Sequence, residues 1–444
     1  MKSLEELVQT ELLTVEDIRE QLDKTEKGKT RQSIQNTVTV LRNDPMLKGT
    51  ICRNEMSGLI DICRDLPWKR RGSHMTDTDL ANIHGYLEKV YGLTSDNVIG
   101  KGITIVSNEN SYHPVKIYLE SLQWDGEERI AQALPRFLKA DDIPYTAEVL
   151  KMHMLAAICR LYHPGVKYDI MLCLIGEQGT GKSTFFRYLA IKDEWFTDSL
   201  DNLGEKSAFE KLQGHWIIEM GEMNAIANAK SIEGTKAFLS RQKDTFRIPY
   251  EKYPEDRPRQ CVFCGTSNEM AFLPLDRTGN RRFAPVLIHL KKGDDNIVGH
   301  EQEIREYIIQ MWAEAMEIYR SGNFLLTFTP EMEEYVKNLQ VSFMPEDIQA
   351  GMIQAFLDNY QDDYVCTTII YQKVLGQNGL PEKWKSKEIG DIMDNSIEGW
   401  MKHGNHRFGG NIGTQRSWKR IDPLTDKNGF MKVPDAEQME IPFD

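Results

Sequence analysis

The chain has 444 residues, 40% hydrophobic and 27% charged, with a formal net charge of -13, a soluble globular composition too long for one ordinary core and suited to two to four domains. No apolar run is long enough to span a bilayer and the first residues, Met-Lys-Ser-Leu-Glu-Glu, form no apolar leader, so no membrane partner and a cytoplasmic location are expected. Seven scattered cysteines fit a reducing compartment, and the acidic balance requires any nucleic-acid contact to use a local basic strip.

Residues 1–108 read as a mainly helical domain. Thr14-Val-Glu-Asp17 is a capping box, and Leu80, Ile83, Leu87 and Val90 recur at helical spacing before Gly92. Asp77-Thr-Asp79 reads as the start of that helix rather than as the metal-binding pair of a primase. Trp68-Lys-Arg-Arg71 reads as solvated surface before it reads as a phosphate contact. Residues 109–165 form a helical, collar-like segment, with Val149, Met152, Leu155, Ala156 and Cys159 on one apolar face before the break at His163-Pro164-Gly165.

The chemistry is concentrated in residues 166–300. An apolar run from Ile170 to Ile175, as expected of a central parallel strand, leads directly into Gly176-Glu177-Gln178-Gly179-Thr180-Gly181-Lys182-Ser183-Thr184. This is the pattern of a nucleotide-phosphate loop: the glycines let backbone N–H groups wrap phosphates while the following helix points its positive end at them. Lys182 is then expected to neutralise the β and γ phosphates of ATP, and Ser183 to offer its hydroxyl to Mg²⁺. A second apolar run, Trp216-Ile-Ile-Glu219-Met-Gly-Glu222, ends in carboxylates; Glu219 is assigned to the metal and Glu222 to the attacking water. A third, Gln260-Cys-Val-Phe-Cys264, reads as a buried strand rather than a zinc site and ends in Gly265-Thr-Ser-Asn268, making Asn268 a candidate sensor of the γ-phosphate. Thr278-Gly-Asn-Arg281-Arg282-Phe283 places two arginines before another strand. Arg282 is the first choice for an arginine finger, with Arg281 and Arg277 as alternatives.

Between the second and third runs, residues 241–259 carry six basic residues against four acidic ones, with aromatics interleaved. Such a strip suits single-stranded DNA, with Lys243, Arg247 and Lys252 as candidate contacts. Residues 301–444 are expected to hold helices at 301–319 and 346–360, further helical pieces at 367–375 and 386–393, and a two-strand ribbon ending in Arg416-Ser-Trp-Lys-Arg-Ile421. That order is winged-helix-like and suits either DNA or protein contacts.

Taken together, His113-Pro-Val-Lys-Ile-Tyr-Leu-Glu-Ser-Leu-Gln-Trp124-Asp125-Gly126, Pro164-Gly-Val-Lys167, Gly176 to Thr184, Trp216 to Glu222, Lys236-Ala-Phe-Leu-Ser-Arg241, Pro258-Arg-Gln-Cys261 and Thr278 to Phe283 resemble the virulence-associated protein E family, whose ATPase domain is similar to superfamily 3 helicases of phages, plasmids and genomic islands. The resemblance covers about residues 110–290. It implies an α/β, AAA+-like P-loop ATPase domain flanked by an N-terminal mainly helical domain and a C-terminal helical, winged-helix-like region. The implied activity is ATP hydrolysis coupled to DNA unwinding or translocation. The implied assembly is a homo-hexameric ring on single-stranded DNA, served by a separate primase or replication initiator. The alternative is an ATP-dependent regulatory or loading protein that binds DNA without unwinding it.

Overall fold

The computed structural model describes residues 13–200, 211–221, 229–246, 255–273, 280–294 and 297–421. Four hydrophobic clusters organise it: one near each end of the described chain and one on each face of a central parallel sheet.

The N-terminal cluster gathers α1 (Val15–Gln21), α2 (Ile34–Asn43), the short antiparallel pair β1 (Ile51–Arg53) and β2 (Ile60–Ile62), α3 (Asp77–Tyr91) and α4 (Asp96–Glu109). Thr14 closes a capping box with Asp17, as its spacing predicts. Thr76 does the same with Asp79, so Asp79 is the third residue of a helix. Burial works against the Asp79 carboxylate, but hydrogen bonds from Arg70, Trp68 and Thr76 outweigh it and hold the group well below the usual carboxylate range. The Trp68–Arg71 cluster is therefore partly structural: Trp68 Nε1 donates to Asp79 Oδ1 at 2.8 Å and Arg70 Nε at 2.9 Å.

The central sheet contains β3 (Met171–Ile175), β4 (Phe196–Thr197), β5 (Ile217–Met220), β8 (Val262–Ser267) and β9 (Phe283–Leu287), all parallel in the order β4-β5-β8-β3-β9. The two-residue side-chain period of β3 feeds both cores. Leu172 and Leu174 enter one cluster, while Met171, Cys173 and Ile175 enter the other. The first face is covered by α5 (Pro114–Glu120), α6 (Ile130–Leu138), α7 (Pro144–Tyr162), α8 (Lys182–Leu189), α10 (Glu301–Ser321) and α11 (Pro330–Val341). The second face carries the C-terminal residues Phe238 and Leu239 of α9 (Ala229–Leu239), together with Phe272, Leu273 and Phe343. An antiparallel hairpin, β6 (Lys243–Phe246) with β7 (Glu255–Pro258), stands between α9 and β8.

At two expected boundaries the cores run on. Residues 109–165 pack with the sheet, because α7 is buried all round from Met152 to Leu161, with Leu150, Met154, Ala157, Ile158 and Leu161 buried besides the predicted face. A helix turn buried all round must be covered all round, and it lies within the first core of the sheet. The core also runs on past residue 301. Ile304, Ile308, Met311, Trp312 and Val336 join that same core, with the Trp216 and Trp312 rings 4.3 Å apart. The last cluster starts only at Ala350. It gathers α12 (Ile348–Asp358), β10 (Tyr364–Cys366), α13 (Thr367–Lys373), α14 (Lys383–Asn395), β11 (Trp400–Phe408) and β12 (Gly413–Arg420), with sheet order β10-β12-β11.

Candidate functional site

The candidate site lies where β3, β5 and β8 end. A parallel sheet brings successive strand ends to one edge, and ligands of open α/β sheets sit in the crevice there. After β3 the loop needs two left-handed turns, which Gly179 (φ 81°) and Gly181 (φ 89°) supply. Gly176 is required for another reason: a Cβ there would meet the Ile288 carbonyl oxygen at 2.9 Å. The loop ends on α8, whose first N–H groups have no intrahelical partner and face the opening.

Lys182, the first residue of α8, is 6% exposed. Its Nζ donates to the carbonyls of Gly176 (2.7 Å) and Glu177 (2.6 Å) and to Asn268 Oδ1 (3.0 Å). Burial pulls this ammonium below its ordinary range, against the attraction of Glu219. Ser183 Oγ donates to Glu219 Oε1 at 2.7 Å, and Thr266 Oγ1 donates to the same oxygen at 2.6 Å. Strand alternation explains the convergence: Glu219 shares a face with Ile217, and Thr266 with Cys264, the face on which α8 packs. Glu219 is 1% exposed, and burial pushes its carboxyl up, opposed by the Thr266 and Ser183 hydrogen bonds.

Among the described residues, Glu219 Oε2 is buried with no hydrogen-bond partner. An orphaned carboxylate oxygen beside a serine hydroxyl is an incomplete shell that suits a hard cation. Among the described residues no three His, Cys, Asp or Glu side chains form a dedicated metal cage. One carboxylate and one hydroxyl are a donor set that fits Mg²⁺, which is held by one or two protein groups, phosphates and water. These groups border a cavity of about 560 Å³ lined also by Gln178, Thr184, Asp198 and Glu269.

Of the sequence candidates, the structure brings Lys182, Ser183, Glu219 and Asn268 together with the glycine loop. Glu222, Arg247, Lys252 and Arg277 lie outside the described residues. Arg281 and Arg282 stand apart from this site. They precede β9, whose first residue pairs with Met171, the first of β3, and so mark the opposite end of the sheet. Arg282 is anchored, with Nε 2.9 Å from Ser240 Oγ and 3.2 Å from Asp169 Oδ2. Arg281 is 71% exposed and reaches Asp169 only at 3.9 Å.

The basic strip is altered most by the structure. Lys243 is ion-paired with Asp256 across the hairpin, and Arg257 lies 3.5 Å from Glu255. Arg259 is buried against Asp244 at 2.7 Å. Its described cations are largely spent within the hairpin base. Sequence reasoning missed Thr266, although it lies inside Gly265-Thr-Ser-Asn268, where strand alternation would have found it. Asp198 was also missed, because β4 spans two residues and has no readable period.

The fold and site thus define a mixed α/β protein with a glycine loop and a buried carboxylate at one edge of a five-stranded parallel sheet. The virulence-associated protein E-like domain matches residues 119–345, and the chain belongs to that family. Its limits agree with a central unit that continues through α11. Among solved structures, the A form apo structure of the NrS-1 C-terminal region (305–718) is 14% identical, covering 88% of this chain and all of its own at a TM-score of 0.47. A second apo structure of that region is 14% identical, covering 84% and 95% at a TM-score of 0.45. No curated protein matches the chain. No helix among the described residues is long and apolar enough to cross a membrane.

Proposed function

We propose that this protein is an ATP hydrolase that uses Mg²⁺ and moves along single-stranded DNA as a homo-hexameric ring during replication of a mobile element. The observation that carries the reading is the convergence of Lys182, Ser183, Glu219, Thr266 and Asn268 at the mouth of one cavity, beside the N-terminus of α8. The order β4-β5-β8-β3-β9 supports it, because β8 separates β3 from β5 and sets Asn268 between the phosphate loop and the carboxylate strand.

In this reading, residues 176–184 enclose the phosphates, and Lys182 exchanges its carbonyl contacts for phosphate oxygens. Ser183 and Glu219 would hold Mg²⁺, which would supply neutralisation of phosphate charge, and Thr266 fixes the Glu219 carboxylate. Asn268 orients the attacking water, with Glu222 as the proposed base. Arg281 is the better placed of the arginine pair to reach another subunit's nucleotide, since Arg282 is held by Asp169 and Ser240.

The internal ion pairs of the β6–β7 base favour one second reading, a regulatory or loading protein that binds DNA without unwinding it. Steady-state ATPase activity of wild type and Lys182→Ala, with and without single-stranded DNA, together with the mass of the complex with nucleotide, separates the two. Turnover stimulated by DNA, lost in the variant and carried by a ring-sized complex supports the motor. Lys182-dependent turnover by a monomer that ignores DNA rejects it.

A further inference from the structure

The β11–β12 ribbon is basic within an acidic chain. Between Gly399 and Ile421 there are five Lys and Arg residues and no Asp or Glu. Only Ser417–Lys419 of β12 pair with β10, so the remainder of the nine- and eight-residue strands runs on as a two-stranded ribbon to a glycine-rich tip, Gly409-Gly410-Asn411-Ile412-Gly413. A two-stranded ribbon is marginal in water by itself, and such a ribbon fits the major groove of DNA.

Three of the five cations are occupied. Lys402 Nζ donates to Asp394 Oδ2 at 2.6 Å, Arg420 donates to the Tyr360 carbonyl and stacks over Trp400, and Lys419 sits over the Tyr364 ring. Arg407 and Arg416 are exposed and make no side-chain hydrogen bond or ion pair among the described residues. The register pairs Arg407 with Thr414 and Asn405 with Arg416, so both guanidinium groups leave the same face as diagonal neighbours. It is the face of Trp418, whose Nε1 donates to Asp394 of α14 at 2.6 Å. Two like charges side by side with no acidic partner repel each other, and an anion between them removes the penalty.

We propose that this ribbon binds double-stranded DNA, with Arg407 and Arg416 on backbone phosphates. Duplex is favoured over single strand because the arginine face offers no free aromatic ring for bases to stack on. The rings of the opposite face are engaged with one another, Tyr364 stacking on His406 at 4.0 Å. This contact is independent of the ATP-dependent reading of the central site.

The test is fluorescence anisotropy of the full chain, without nucleotide, on a labelled duplex and on its single strand, between about 50 and 200 mM salt. The double variant Arg407→Gln/Arg416→Gln should bind duplex about tenfold more weakly at low salt, with a log–log salt slope shallower by about 1.8, two phosphate contacts' worth. Arg407→Lys/Arg416→Lys, which keeps the charge, and Lys402→Gln, whose cation is already paired, should both keep the wild-type slope. An unchanged slope in the Gln double variant, the same loss in Lys402→Gln or in the Lys double variant, or a loss falling on single strand as heavily as on duplex would overturn the proposal. Because no nucleotide is present, the outcome is separable from that of the ATPase assay.

Discussion

The Lys182 ammonium lies 3.0 Å from Asn268 Oδ1, a contact between residues 86 positions apart that joins the start of α8 to the residue just past β8. The amide oxygen accepts from the lysine and holds it over the loop. Asn268→Ala should therefore alter both phosphate affinity and turnover. Loss of one polar group aimed at developing charge costs about a hundredfold in kcat. Steady-state kinetics should show the larger change in kcat, with Lys182→Ala falling further, to background.

Glu219 gives a pH-dependent prediction. Its carboxyl is pushed up by burial, so folding favours the protonated form. That stability is present below the unfolded value of about 4.3 and is lost as pH rises through the higher folded value. At neutral pH without metal, Glu219→Gln should melt above wild type by roughly 1–3 °C, with the difference vanishing in acid. Adding Mg²⁺ and ATP should reverse the order, raising the melting temperature of wild type only. Thermal melts at several pH values, with and without Mg²⁺ and ATP, check both signs.

The loop glycines should separate strain from crowding. Gly179 has φ 81° with open space at its Cβ position, whereas at Gly181 (φ 89°) a Cβ would lie 2.8 Å from Ile297 Cγ1. Gly179→Ala should cost about 1–2 kcal/mol of backbone strain. Gly181→Ala should cost more, because the Ile297 side chain must also move. Chemical denaturation of the two variants should rank them in that order, and nucleotide titration should show the greater loss of affinity for Gly181→Ala.

Much of the candidate site was legible because its parts follow local rules. The glycine spacing, the apolar run of β3 and the carboxylate ending β5 are all short-range patterns. The strand order brought Asn268 to Lys182, a relationship that no local pattern contains. The division into cores was less legible for a related reason. Helical periodicity identifies α7 and α10 but does not state which core they enter, and α7 is too evenly apolar to show a single face. In the basic strip, counting charges does not reveal partners. Asp244 sits opposite Arg257 in the hairpin register, yet its carboxylate is used by Arg259, and Asp256 holds Lys243 besides Thr245 opposite it.

The arginine pair should divide by role. Arg281→Ala removes an exposed side chain whose contact with Asp169, at 3.9 Å, is weak, so stability should change by under about 0.5 kcal/mol. In a ring it should still abolish turnover, by up to about a thousandfold. Arg282→Ala breaks a shielded contact with Asp169 and Ser240 and should lower stability by about 1–3 kcal/mol. Mixing Arg281→Ala with Lys182→Ala subunits provides the check: partial recovery of turnover requires the arginine and the lysine to act from different chains.

The hairpin base supplies a stability contrast between two neighbouring cations. The Arg259 side chain is 1% exposed and pairs with Asp244, itself 5% exposed, through Nε at 2.7 Å and Nη2 at 3.0 Å. Its Nη1 also donates to the Phe238 carbonyl, and the guanidinium lies 4.4 Å from the Phe238 ring centroid. Removing one partner strands a buried charge, so Arg259→Ala should cost about 3–5 kcal/mol. Replacing both partners with Met and Leu should recover much of that loss, since the penalty comes from the unpaired Asp244 rather than from the absence of a favourable pair. Lys243, by contrast, is 60% exposed where it meets Asp256, and Lys243→Ala should cost under about 1 kcal/mol. Urea unfolding of the three variants tests the ranking. If Arg259→Ala proved as mild as Lys243→Ala, the buried pair would not be what holds the hairpin against α9.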